Sequence, residues 1–80
     1  MNYSDLLENN FECKGEILDL KLFDIPATMH RNIRACAELG ARAVTVADSP
    51  LNIQGIDAAL EAGRLYRIEI IIGDPEDYVL

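Results

Sequence analysis

Three charged side chains lie close together in the sequence and could do acid–base chemistry as a group. They are Asp19, Lys21 and Asp24, in the pattern Asp-x-Lys-x-x-Asp. An ammonium held beside carboxylates can stabilise negative charge that develops on a reacting molecule and can then deliver a proton. The alternative interpretation is a half-buried strand whose charged face is simply solvated. The elements around the three residues must decide between these interpretations.

The residues around this pattern alternate with the period of two that is typical of a β-strand. The three leucines of residues 18–22 point to one side, whereas Asp19 and Lys21 point to the other, about 7 Å apart at their Cα atoms. We expect these opposite charges to pair. Asp24 follows the strand, and Pro26 suits the first turn of a helix. Because α/β sheets place their sites at the carboxyl ends of strands, this arrangement favours a site.

Strands and helices alternate along the rest of the chain. The predicted elements are a short helix over 5–10, strands over 17–22, 43–47 and 66–72, helices over 26–39 and 53–62, and another helix that starts at 74–77. This alternation predicts an α/β fold with parallel strands, arranged β-α-β-α-β. The interval between strands, about 25 residues, matches a repeated βα unit of a (β/α)8 barrel.

Single residues mark the faces and ends of the predicted helices. Ile25 begins an apolar stripe with a 3.6-residue repeat that continues through Met29. Gly40 suits a left-handed residue after the first long helix. Asn52 is a possible cap of the next helix, and Gly63 is its predicted stop.

The composition excludes several classes of protein. The chain has 80 residues and a formal net charge of −7, which argues against nonspecific binding to nucleic acid. No apolar run approaches the length of about 20 residues that spans a membrane. Cys13 and Cys36 do not make a disulfide framework, and with no signal peptide in view we expect reduced thiols in a cytoplasmic protein. No cluster suggests a metal site, and His30 is interpreted as structural or solvated.

Residues 18–28 resemble the signature of orotidine 5'-phosphate decarboxylase, a carboxy-lyase. That family carries Asp-x-Lys-x-x-Asp followed by Ile-Pro-Asn-Thr, and this chain has Ile25-Pro26-Ala27-Thr28 after Asp24. The similarity continues through residues 35–41 and 43–46 and fades after Ala47. It covers about half of the chain well.

The resemblance implies a reaction and a role for each matching residue. The family converts orotidine 5'-phosphate to UMP and CO₂ in pyrimidine biosynthesis, without a metal or an organic cofactor. Lys21 matches the lysine that donates a proton, and Asp19 matches the aspartate placed against the substrate carboxylate. Asp24 matches an aspartate that reaches across a dimer interface into the neighbouring site. Ile25 and Thr28 match substrate-binding residues that accompany it.

The chain is shorter than the fold that this resemblance implies. A (β/α)8 barrel needs about 250 residues, whereas 80 residues supply three predicted strands. We therefore expect a single partial barrel domain over 1–80, inactive alone, with a homodimer partner or a complementing barrel segment. The alternative is a small protein that completes itself by oligomerisation.

The chain also departs from the family pattern. Ala27 replaces the usual Asn, residues 46–49 lack the usual His, and Gly73 falls where a Ser or Thr is expected. The family's upstream Asp and Lys and its phosphate-binding Gln and Arg are not found in this chain. Two alternatives stay open: a sugar-phosphate decarboxylase or synthase of the same superfamily, which lacks Ile-Pro-x-Thr, and a non-enzymatic oligomerising module.

Overall fold

The computed structural model describes residues 15–75. In chain order its elements are β1 (Ile17–Leu22), α1 (Pro26–Glu38), β2 (Ala43–Val46), a 3₁₀ turn (Pro50–Asn52), α2 (Ile53–Tyr66) and β3 (Glu69–Ile72). The helix expected over 5–10 and Cys13 lie outside the described residues. Of the helix start expected at 74–77, only residues 74 and 75 lie within them.

The three strands form one parallel sheet in the order β1-β2-β3. β2 lies in the centre, and all four of its residues are buried. Burial on both faces explains why this strand is apolar throughout, apart from Thr45. Within residues 15–75 the expected α/β class, the parallel pairing and the β-α-β-α-β order are confirmed.

The apolar core lies between one face of the sheet and the two helices. From α1, Met29, Ile33 and Cys36 are completely buried in it. The sheet and α2 add further buried side chains: Leu18, Leu22, Val44, Val46, Ala59 and Ala62. Full burial of a side chain such as Ile33 stabilises the fold by about 1.5–3 kcal/mol, so this stripe holds α1 against the sheet.

The opposite face of the sheet carries the polar residues. Because Leu18 and Leu22 point into the core, strand alternation turns Asp19 away from it. The same alternation places Thr45 between the two core valines of β2 but on the other face. Ile71 is aligned with Thr45 in β3 and is also buried, so Thr45 is enclosed between neighbours.

α2 is longer than the sequence predicts, and β3 is correspondingly shorter. Gly63 does not stop the helix, which continues to Tyr66 and has Arg67 as its C-cap residue, with φ 58°. A Cβ on Gly63 would lie 2.7 Å from Cγ1 of Ile70 and 2.8 Å from the carbonyl oxygen of Ile68. This glycine therefore lets α2 approach β3 closely, which is a packing role.

The other expectations about helix faces and ends have mixed outcomes. Gly40 has φ 86° just after α1, as predicted. Ile25 is 70% exposed, so the buried stripe begins at Met29 and the prediction for Ile25 was wrong. Asn52 makes no capping bond with its side chain, whereas Ser49 accepts a backbone N–H in the 3₁₀ turn before α2. The Asn52 side chain instead donates to the carbonyl oxygens of Leu22 and Ala47, so tertiary contacts replace the predicted cap.

Candidate functional site

A group of charged side chains joins the two outer strands near their carboxyl ends. We call it the strand-end ion cluster; it consists of Asp19, Lys21 and Asp74. Nζ of Lys21 lies 2.9 Å from Oδ1 of Asp19 and 3.0 Å from Oδ1 of Asp74. Asp74 follows β3, so Lys21 connects β1 to the end of β3, the strand at the opposite edge of the sheet, with β2 between them. The predicted pairing of Asp19 with Lys21 is confirmed.

The ammonium of this cluster is held but not enclosed. The Lys21 side chain is 48% exposed. An ammonium has three N–H donors, and among residues 15–75 carboxylates bind two of them. One N–H can therefore meet an incoming anion without breaking either ion pair.

β1 departs from regular pairing where it carries the cluster. Between Leu18 and Leu22 it advances by four residues while β2 advances by two, so the register shifts. Lys21 has φ 46°, in the left-handed region that side chains with a Cβ rarely adopt. Its N–H donates to Oγ1 of Thr45 at 2.9 Å. Irregularities of this kind redirect side chains, and they are common beside active sites.

The contacts within the cluster favour the charged forms that Asp19 and Lys21 already have at neutral pH. The hydrogen bond from Lys21, and then the one from Thr45, hold the pKa of Asp19 below its ordinary value. The hydrogen bond to Asp19, and then the one to Asp74, raise the pKa of Lys21 above its ordinary value. Hydrogen bonds to the charged form cause both shifts. The site thus presents a protonated amine beside an ionised carboxylate.

Asp24 belongs to a different neighbourhood, between the end of β1 and α1. Its Oδ2 accepts a hydrogen bond of 3.0 Å from Nδ2 of Asn32, a buried residue of α1. Asp24 also lines a cleft of about 290 Å³. The complete lining is Phe23, Asp24, Ile25, Pro26, Leu51, Gln54 and Gly55. Asp24 is therefore held by Asn32 and not by Lys21, at a surface that is largely apolar.

The five residues predicted for the site fall into three groups. Asp19 and Lys21 are in contact in the strand-end ion cluster. Asp24 and Ile25 line the cleft. Thr28 is half-buried in the first turn of α1 and is not part of the lining of that cleft.

The sequence did not identify three residues that hold these groups. Thr45 was visible as the one polar residue in an apolar strand, which is a usable signal. Asp74 was interpreted as part of a helix start, although it stands two residues after a strand end, where sites are built. Asn32 gave no signal, because one amide on a helix usually faces solvent.

No family model, curated protein or solved structure matches the chain. Residues 15–75 contain no group of three or more side chains suited to a metal ion. Within the same part of the chain, no helix is long and apolar enough to cross a membrane.

Proposed function

We propose that this chain carries part of the active site of an orotidine 5'-phosphate decarboxylase, within a (β/α)8 barrel. The observation that carries the proposal is the Lys21 ammonium, held by Asp19 and Asp74 at the carboxyl ends of parallel strands. The signature that resembles the family supplies two of these three residues. The location agrees with the rule that parallel α/β folds place their sites at this edge.

The reaction needs a proton donor beside a carbon that becomes negatively charged. The bond between the pyrimidine ring and the carboxylate breaks, CO₂ leaves, and the electron pair stays on the ring carbon. Lys21 stabilises that charge and transfers a proton to the carbon, which leaves a neutral amine that solvent reprotonates. A lysine amine is protonated at neutral pH at its ordinary pKa, and the contacts that raise the pKa of Lys21 favour the same protonated state before the bond breaks.

Asp19 has two tasks in this proposal. It holds the ammonium at 2.9 Å, and its low pKa keeps it ionised at neutral pH. A fixed negative charge beside the carboxylate of the substrate disfavours the bound ground state, and this repulsion disappears as CO₂ forms. Asp74 adds a second carboxylate on the ammonium, so the lysine stays fixed while the substrate enters.

Asp24, Ile25 and Thr28 are proposed to serve the site of a dimer partner. Asp24 bonds to Asn32 instead of Lys21, and Ile25 is 70% exposed beside it. An exposed apolar side chain next to a fixed carboxylate suits a surface that another chain covers.

β1 and β3 are the outer strands of the described sheet, and barrel closure requires a further strand on each.

The test uses a chimera in which the 80-residue chain replaces the corresponding segment of a complete orotidine 5'-phosphate decarboxylase. We expect the chimera to consume orotidine 5'-phosphate, followed by absorbance and by release of CO₂. Lys21→Ala should lower kcat by at least about 10²-fold and leave UMP binding largely intact, because the ammonium acts on charge that appears in the transition state.

The matched control removes a positive charge elsewhere. Arg31 is an exposed residue of α1, and Arg31→Ala should leave kcat unchanged. A folded, dimeric chimera that binds UMP but shows no decarboxylation would refute the proposed function. Equal losses in Lys21→Ala and Arg31→Ala would remove Lys21 from the chemistry.

A further inference from the structure

Thr45 is a polar residue that forms hydrogen bonds with two members of the strand-end ion cluster, Asp19 and Lys21. It is completely buried in the central strand. Its Oγ1 accepts the N–H of Lys21 at 2.9 Å and donates to Oδ1 of Asp19 at 2.9 Å. The same oxygen of Asp19 binds the ammonium of Lys21. One hydroxyl thus contacts both the backbone and the counterion of the same lysine.

The backbone of β1 gives this hydroxyl a specific task. The register shift leaves Lys21 out of the regular ladder between β1 and β2, and its φ of 46° is unfavourable for a residue with a Cβ. The backbone N–H of Lys21 is part-buried, and a backbone N–H that is removed from water without a partner is costly. The Thr45 hydroxyl provides that partner, so the conformation of Lys21 depends on a side chain 24 positions away.

We propose that Thr45 is the positioning residue of the cluster, whose hydroxyl fixes the backbone of Lys21 and the carboxylate of Asp19, and thereby the direction of the ammonium. This inference rests on the proposed function only in naming the ammonium as the reacting group. The placement itself can be measured without catalysis.

Substitutions at Thr45 distinguish the effect of losing the hydroxyl from the effect of changing the volume of the side chain. Thr45→Val keeps the shape and removes both hydrogen bonds, whereas Thr45→Ser keeps the hydroxyl and loses a methyl group. Ile71→Val is the matched control, because Ile71 is buried beside Thr45 in β3 and its shortening perturbs packing alone. If Thr45→Val does not fold, Thr45→Cys replaces it, since a thiol bonds only weakly.

The decisive measurement is NMR of the isotopically labelled 80-residue chain. Titration of the Asp19 carboxyl carbon should show a pKa that rises toward its ordinary value in Thr45→Val, because one of the two bonds that lower it is lost. The Lys21 amide should exchange faster in the same variant. Thr45→Ser and Ile71→Val should resemble wild type in both. A folded Thr45→Val protein with an Asp19 pKa as low as wild type would overturn the inference.

The chimera separates this inference from the proposed function. If both hold, Thr45→Val lowers kcat by about 100-fold with little change in KM, as expected for a misplaced reacting group, and Thr45→Ser restores most of it. An inactive wild-type chimera with the expected NMR result would refute the function and support the positioning role. An active chimera in which Thr45→Val changes neither kcat nor the Asp19 pKa would refute the positioning role alone.

Discussion

Gly55 allows α2 to begin directly against the loop that carries Asp24, and Gly55→Ala should therefore destabilise the protein. Gly55 is the third residue of α2 and is buried. A Cβ there would collide with Oδ1 of Asn52 and would lie 2.7 Å from the backbone carbonyl oxygen of Asp24. Neither obstacle can move easily. Asn52 is 2% exposed, and its Nδ2 donates to the carbonyl oxygens of Leu22 and Ala47.

Two opposing effects set the size of the change. Replacement of glycine by alanine within a helix gains about 1 kcal/mol of helix propensity. Inserting a methyl group into a well-packed site costs about 1–3 kcal/mol, and the upper part of that range applies where backbone is the obstacle. The net loss should be about 1–2 kcal/mol. For a domain of this size each kcal/mol lowers Tm by about 4–8 °C.

Thermal and urea unfolding followed by circular dichroism would measure this loss. Gln54→Ala is the matched control, because Gln54 precedes Gly55 in the same helical turn and is exposed, so its Tm should change little. A Tm for Gly55→Ala equal to or above wild type would refute the reasoning. It would mean that the start of α2 and the Asp24 loop separate at little cost.

Two further predictions concern the charged residues. The pKa of Asp19 is lowered from its ordinary value of 3.8, and the pKa of Lys21 is raised from its ordinary value of 10.5. The stability that their pairing contributes should therefore be complete between pH 3.8 and pH 10.5. It should be lost as pH falls through the lowered pKa of Asp19 or rises through the raised pKa of Lys21. Melts near neutral pH and below pH 3.8 should show a smaller acid loss for Asp19→Asn than for wild type, and equal losses would contradict this. In the chimera, mixing Asp24→Ala with Asp19→Ala should recover up to about a quarter of wild-type activity, since random pairing puts one intact site in each mixed dimer. No recovery in confirmed dimers would assign Asp24 to the site of its own chain.

The periodic features of the fold were accessible from the sequence. The alternation over 17–22 and the repeat that includes Met29 and Ile33 each require only local geometry and a preference for burial. The α/β class and the contact between Asp19 and Lys21 follow from such patterns.

The features that the sequence analysis missed depend on contacts between distant parts of the chain. Asp74 meets Lys21 only because β3 lies parallel to β1 with β2 between them. Gly63 is required by the closeness of β3, which a helix considered alone does not reveal. Asn52 bonds to carbonyl groups at the ends of β1 and β2 and so is not used as a cap. In each case tertiary contacts override a local preference.

The left-handed backbone at Lys21 has a consequence for how this chain would respond to selection. Glycine and asparagine suit φ 46° better than lysine does, so a library screened for folding alone should prefer them at position 21. If the proposed function holds, a library of the chimera screened for decarboxylation should retain only lysine. The difference between the residues selected at position 21 in the two screens would then distinguish the requirement of the fold from that of the reaction. Such a difference is expected where an active site is maintained at a cost in stability.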